Sequence, residues 1–220
     1  MSPLPVVLSA PSGVGKTTIA HSLLKRRSDV GYSVSCTTRA PRAGEENGKD
    51  YYFLSEDEFV SRIGKAEFAE SALVHGKRYG TLRSEVQRLL DASKHVLMDI
   101  DVQGAAQFVK AFPDSVLIFV IPPSLDELVD RLKRRNTESD AQLAERLRNA
   151  HTELQDAHQY HWVVVNDALE QAVEDVSTII DAEQLKRDRV HGLDEQVSGL
   201  LRRLEQQLSQ YHSSSPAPTR

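Results

Sequence analysis

Cysteine is nearly absent from this 220-residue chain. With Cys36 alone no disulfide can close within the chain, and no set of cysteines and histidines has the spacing of a zinc site. His151, His158 and His161 lie near one another but lack companion ligands, and they read as surface side chains. No apolar run approaches the length of a membrane span, and the first residues show no basic stretch followed by an apolar segment. A reducing, cytoplasmic setting with no membrane contact is therefore expected. Positive charge is not in excess either. The 27 Lys and Arg against 32 Asp and Glu leave a net charge of -5, which argues against a general binder of nucleic acid or membrane surfaces. There is no internal repeat. No Asn-Lys-x-Asp motif occurs, which removes support for a regulatory GTPase. What remains is ordinary for a globular protein: 40% hydrophobic and 27% charged residues, in a chain long enough for one generous domain with inserts.

Against these absences stands one dense motif. Val6-Val7-Leu8-Ser9 reads as a short apolar strand, Ala10-Pro11-Ser12-Gly13-Val14-Gly15-Lys16-Thr17 follows it, and Thr18 leads into a helical pattern. Strand, Gly-containing loop, Gly-Lys-Thr and helix is the order of a phosphate-binding loop, although Ala10 stands where the general pattern has Gly. Gly13 and Gly15 can take backbone angles closed to other residues. Successive N–H groups then converge on phosphate oxygens at the positive end of the helix. Lys16 supplies a full charge for the outer phosphates, and the Thr17 hydroxyl suits a magnesium ion. Alone, the loop specifies a user of nucleoside triphosphates and nothing narrower.

Beyond it, Thr17 to Arg27 is helical, and Tyr32 to Thr38 suits a strand that runs into a turn-rich segment containing Arg39, Arg42 and Glu45. Asp50 to Leu54 reads as a strand, and Ser55 to Glu58 as a capping box for a helix reaching about Ile63. Phe68 to Val74 and Lys77 to Thr81 form a strand pair about Gly76. Residues 33–81 thus read as an insert with its own small sheet, because alternating strand and helix resumes only later. After a helix from about Leu82 to Ala92, His95 to Asp101 is an apolar strand ending in Asp99 and Asp101, where an open parallel sheet places its chemistry. Gln103 to Phe112 is helical, and Ser115 to Ile121 reads as a strand buried on both faces. Two helices follow, one opened by Ser124 and Glu127 and one from about Ala141 to His158. Between and upon them lie Arg131, Arg135, Arg146 and Arg148, as in a mobile lid over phosphates. A strand at Trp162 to Val165 and a helix from Ala168 to about Lys186 complete the pattern.

These segments resemble the guanylate kinases over roughly residues 4 to 186. The resemblance rests on the loop, on Ser33-Val34-Ser35-Cys36-Thr37-Thr38-Arg39-Ala40-Pro41-Arg42, on Gly44-Glu45-x-x-Gly48-Lys49-Asp50-Tyr51, on Tyr79-Gly80-Thr81 and on Asp99-Ile100-Asp101-Val102-Gln103-Gly104. It implies an α/β fold: a parallel sheet of the P-loop NTPase type flanked by helices, with a small mixed-sheet GMP-binding insert and a helical lid. The implied division is a core of residues 1–32 and 82–190, a lid at about 131–148 and the insert at 33–81. A C-terminal helix and disordered tail at 191–220 complete it.

The resemblance also implies ATP as donor, held by Ser12, Gly13, Val14, Gly15, Lys16, Thr17 and Thr18, with Mg²⁺ held through Thr17 and Asp99. GMP, and dGMP with it, would be the acceptor. Its phosphate falls to Arg39, Arg42, Tyr51 and Tyr79, with Glu45 in support. The donor edge of its base falls to Glu70 and Asp101, and its O6 to Ser35 and Thr81. Lys16, Arg39, Asp99, Arg131, Arg135 and Arg146 are the implied catalytic groups, with Arg148 a neighbour. Two other readings stay open at this level: a noncatalytic interaction module of the same fold, and a kinase for another nucleoside monophosphate. Past Gly192, Val197, Leu200, Leu201, Leu204 and Leu208 form an apolar stripe that either docks on the domain or meets another subunit.

Overall fold

The computed structural model of the chain describes residues 2–74, 76–134 and 140–213. In chain order it begins with β1 (Pro5–Ser9), α1 (Lys16–Arg26), β2 (Val30–Tyr32), β3 (Cys36–Thr37), β4 (Tyr52–Phe53), α2 (Glu56–Gly64), β5 (Phe68–Val74), β6 (Lys77–Leu82) and α3 (Arg83–Asp91). There follow β7 (His95–Asp99), α4 (Val102–Ala111), β8 (Val116–Ile121), α5 (Leu125–Arg134), α6 (Asp140–Gln155), β9 (Trp162–Val165), α7 (Leu169–Gln184) and α8 (Leu193–Ser213). Two compact units divide the chain, Pro3–Asp181 and Ala182–Arg220 with Met1–Ser2.

The larger unit is built on a five-stranded sheet in the order β2-β7-β1-β8-β9, with every neighbouring pair parallel. Its strands carry apolar residues at both parities because both faces are covered. On one face Val6, Leu8, Leu97, Ile118 and Val120 pack with Ile19 and Leu23 of α1, Leu128 and Leu132 of α5, and Val173, Val176 and Ile180 of α7. On the other, Val7, Val96, Met98 and Leu117 meet Val86 and Leu89 of α3 and Phe108 of α4. Successive side chains of one strand therefore serve two different cores.

A second, mixed sheet runs β4-β3-β6-β5, parallel between β3 and β4 and antiparallel elsewhere. It has a small core of its own, in which Phe59 of α2 stacks on Phe68 at 4.4 Å beside Cys36 and Leu82. Burial pushes the Cys36 thiol up to about 12, so it serves as a small apolar side chain and not as a nucleophile.

Element boundaries differ from the sequence expectation where pairing partners change. The strand expected from Tyr32 to Thr38 is two strands in two sheets. Across the break, Ser33 donates its N–H to the Leu97 carbonyl of the first sheet at 2.9 Å, while the Ser35 carbonyl accepts from Tyr52 of the second at 2.9 Å. β propensity runs through the whole segment, but the switch of partner is a tertiary fact. The strand expected to reach Asp101 stops at Asp99, and Asp101 instead caps α4 by accepting from Gly104 N–H at 2.7 Å. The helix expected to reach His158 ends at Gln155 in a 3₁₀ turn, Asp156–Gln159.

In the smaller unit α8 extends past the expected Leu208, and Val197, Leu200, Leu201, Leu204 and Leu208 are exposed along it. Among the described residues no helix is long and apolar enough to cross a membrane.

The second sheet's core is small enough that one side chain dominates it. Phe59→Ala is expected to cost about 3–5 kcal/mol, measured by urea unfolding, because a stacked, fully buried ring is lost from a cluster with little else to fill the gap.

Candidate functional site

The phosphate-binding loop forms between β1 and α1 with the geometry its glycines allow. Gly13 and Gly15 have φ of 89° and 101°, a left-handed region that side chains resist, and Gly15 is the N-cap of α1. The first amides of α1 therefore point out of the loop with no helical partner, next to Lys16 and Thr17. Parallel pairing of β1 with β7 places Leu8 opposite Asp99, so the loop and the end of β7 emerge side by side. Lys16 Nζ donates to the Ile100 carbonyl at 2.9 Å, and Ser9 Oγ donates to the same oxygen at 2.9 Å. Thr17 Oγ1 donates to Asp99 Oδ2 at 2.5 Å, and the Tyr32 hydroxyl donates to Asp99 Oδ1. Among the described residues Lys16 is in no ion pair, which leaves its charge available to an incoming anion.

Thr17 and Asp99 bring together two hard oxygen donors at the mouth of an anion-binding loop. This donor set fits Mg²⁺, which is held by few protein oxygens alongside phosphates and water. The described residues contain no group of three or more His, Cys, Asp and Glu that could hold a metal ion.

Two helices and the end of β9 meet the loop from its other side. Arg131 on α5 is braced by Glu127 at 2.8 Å and donates to the Val14 carbonyl at 3.2 Å and the Asn166 carbonyl at 3.0 Å. Asn166 Nδ2 donates to Val14 O at 2.6 Å. Arg146 on α6 reaches Ser12 Oγ at 3.0 Å, and Glu153, two turns further along, accepts from Ser12 N–H at 3.2 Å. Burial raises the Glu153 carboxyl above its ordinary range, and this carboxylate lies against a loop amide as an anion would. An open cleft of about 360 Å³ lies here, lined by Gly13, Gly15, Thr18, Arg131, Asn166 and Leu169 among others. Of the sequence-expected arginines, Arg135 lies outside the described residues.

A second cleft, of about 280 Å³, opens between the two sheets and is lined by Lys16, Thr17, Tyr32, Ser35, Tyr51, Glu70, Tyr79, Asp99 and Asp101 among others. At its floor Glu70, 5% exposed, accepts from Thr81 Oγ1 at 2.7 Å. Thr81 sits opposite Glu70 in the β5–β6 register only because the pairing slips between Phe68 and Glu70. This bulge turns the carboxylate into the cleft. Gly104 keeps the other side clear, since a Cβ there would lie 2.9 Å from Glu70 Oε2 and 3.3 Å from Asp101 Oδ1. Burial is the main cause that raises Glu70 to about 7. The negative Asp101 adds to it, and the Thr81 hydroxyl works the other way.

At the rim, Arg39 pairs with Glu45 at 2.8 Å and stands over the Tyr51 ring at 5.4 Å, and Tyr51 meets Tyr79 edge-on at 6.0 Å. Glu45 also accepts from Arg42 N–H at 2.7 Å, and the Arg39 guanidinium, first among its partners, holds its carboxyl below the ordinary range. Arg39, Arg42, Glu45, Tyr51 and Tyr79 thus form one cationic and phenolic cluster, with the Arg42 side chain exposed.

A phosphate-binding loop at the carboxyl edge of a parallel sheet, facing a second polar cleft in an added mixed sheet, defines an α/β nucleotide-binding protein with places for two ligands. The family model described as guanylate kinase matches residues 2–183. Similar curated proteins include the guanylate kinase of Thermotoga maritima, 45% identical over 88% of this chain and 95% of its own length. That of Maricaulis maris is 43% identical over 89% and 90%. The crystal structure of guanylate kinase from Anaplasma phagocytophilum superposes with a TM-score of 0.72 at 36% identity, covering 88% of this chain and 93% of that one. The chain belongs to the guanylate kinase family.

Three residues at the site escaped the sequence reading. Asn166 reads in sequence as a turn residue, but it follows a strand of the parallel sheet, and the rule that drew attention to Asp99 applies equally to it. Glu153 and Tyr32 carry no local signal. One is an acidic residue on a polar helix, and the other is an aromatic within a β-prone run.

The buried carboxyl makes a stability prediction. Its folded pKa is about 7 against an ordinary 4.5, so the folded state disfavours the ionised form and stability falls as pH rises between those values. Glu70→Gln, which keeps an oxygen for Thr81, is expected to be more stable than the parent at pH 8 by ~3 kcal/mol. That gain should disappear near pH 4, as read by denaturant melts at the two pH values.

Proposed function

We propose that the chain transfers the γ-phosphoryl group of ATP to GMP, and to dGMP, by direct in-line displacement between the two clefts. The observation that carries this reading is the buried Glu70–Thr81 pair beside Asp101, in a cleft whose opposite wall is Lys16 and Thr17. Guanine presents N–H donors on one edge and an acceptor at O6. Glu70 and Asp101 answer the donors, and Ser35 and Thr81, whose hydroxyl would turn from Glu70 to the base, answer O6. Adenine would place an amino group at the O6 position and lack the exocyclic N2 donor. The unpaired buried groups would then cost about 1–3 kcal/mol each.

Arg39, Arg42, Tyr51 and Tyr79 take the acceptor's phosphate, where a planar guanidinium matches two oxygens at once, and Glu45 holds Arg39 in place. Ser12, Gly13, Val14, Gly15, Lys16, Thr17 and Thr18 hold the donor's phosphates, and the cleft beside Asn166 and Arg131 takes the rest of ATP. Thr17, with Asp99 through water, would hold Mg²⁺, which when bound supplies charge neutralisation for the donor phosphates. Transfer through a loose transition state asks for positioning and positive charge more than for a base. Lys16, Arg39, Arg131, Arg135 and Arg146 supply that charge, the last three closing as a lid. The cytoplasm, where both nucleotides and a reduced Cys36 coexist, is the compartment that fits.

Three measurements test the reading. With ATP as donor, GMP is expected to exceed AMP, UMP and dTMP in kcat/KM by at least ~100-fold, and preference for AMP would remove the roles given to Glu70 and Asp101. Lys16→Ala is expected to fold normally and lose at least ~100-fold in kcat. Because guanine needs the ionised carboxylate, the KM for GMP should also climb as pH falls below about 7, at unchanged KM for ATP.

A further inference from the structure

Asp99 is held by two hydroxyls, one on each oxygen. Thr17 is tied to the loop and has a second proposed task, since its remaining lone pairs suit a cation while its O–H donates to Asp99 Oδ2. Tyr32 has no such task. It ends β2, where Tyr32 pairs in register with Leu97, its ring packs against the main core, and its hydroxyl crosses to Asp99 Oδ1. A phenol fixed by a packed ring is a rigid donor with two side-chain torsions, whereas a carboxylate held by Thr17 alone could turn about its own axis toward the neighbouring ammonium of Lys16.

We propose that Tyr32 is a positioning residue for the metal-facing carboxylate: its hydroxyl fixes the rotation of Asp99, so that Oδ2 stays toward Thr17 and Lys16 stays unpaired for phosphate. The inference rests on the reading of Asp99 as the residue that helps hold Mg²⁺, and the two are separable. Residues that orient a metal's ligands typically change metal affinity by about 10–100-fold when removed.

The experiment is calorimetric titration of Mg²⁺ into the full chain loaded with a non-hydrolysable ATP analogue, for the parent, Tyr32→Phe, Asp99→Asn and the double variant. Tyr32→Phe is expected to weaken Mg²⁺ at least ~10-fold and melt within a few degrees of the parent. The double variant is expected to be no weaker than Asp99→Asn, because Tyr32 acts only through Asp99. If Asp99→Asn itself leaves Mg²⁺ affinity intact, the underlying reading of Asp99 fails. If Asp99→Asn weakens Mg²⁺ but Tyr32→Phe changes it less than twofold, or if the two effects add, the role of Tyr32 alone is overturned. Failure of Tyr32→Phe to fold would likewise overturn it, since the hydroxyl would then be a structural bond.

Discussion

Parallel pairing of β1 with β7 is the constraint on which the site depends. Leu8 opposite Asp99 sends the loop after β1 and the turn after β7 out of the sheet at the same edge. A slip of one residue would turn Leu8 and Asp99 to opposite faces and separate Thr17 from its carboxylate. The register is held by burial on both sides, since Val6 and Leu8 enter one core and Val7 the other. Each strand thus spends its apolar residues fixing the position of the few polar ones that follow it. The contacts of Lys16 and Ser9 with the single Ile100 carbonyl close the gap between the two emerging segments.

The second sheet solves a different problem, that of keeping a carboxylate in a place that disfavours its charge. Glu70 is buried, next to Asp101, and its only short hydrogen bond among the described residues comes from Thr81. Such a group destabilises the empty protein near neutral pH and becomes satisfied when a ligand with matching N–H donors arrives. On the proposed role of Glu70, selectivity and instability are two aspects of the same side chain. The clustered Arg39, Glu45, Tyr51 and Tyr79 at the rim are arranged the opposite way: Glu45 neutralises Arg39 and holds its guanidinium over the Tyr51 ring.

Much of this was legible in the residues themselves. The apolar strand, Gly-x-Gly-Lys-Thr and the ensuing helix have a local cause, and each formed within a residue or two of its expected place. Asp99 was singled out by a rule about strand ends that needs no detail. Glu70 and Thr81 were nominated through the family's motifs, and what sequence could not provide was the bulge that puts them opposite one another. Tyr32, Asn166 and Glu153 were missed because each acts through a neighbour more than 60 residues away in the chain, at separations of 67, 152 and 141. Periodicity reports which face a residue occupies and is silent on which distant oxygen it meets.

The proposed reaction requires two nucleotides held face to face, their phosphates meeting above Lys16. The most direct measurement is the affinity of a single molecule that joins adenosine to guanosine through five phosphates, compared with ATP and GMP separately. If both clefts are occupied in line, linkage turns the second binding event into an intramolecular one, and the joined molecule should bind at least ~100-fold tighter than either nucleotide, and tighter than its bis-adenosine counterpart. An affinity no better than that of ATP alone would contradict the paired site.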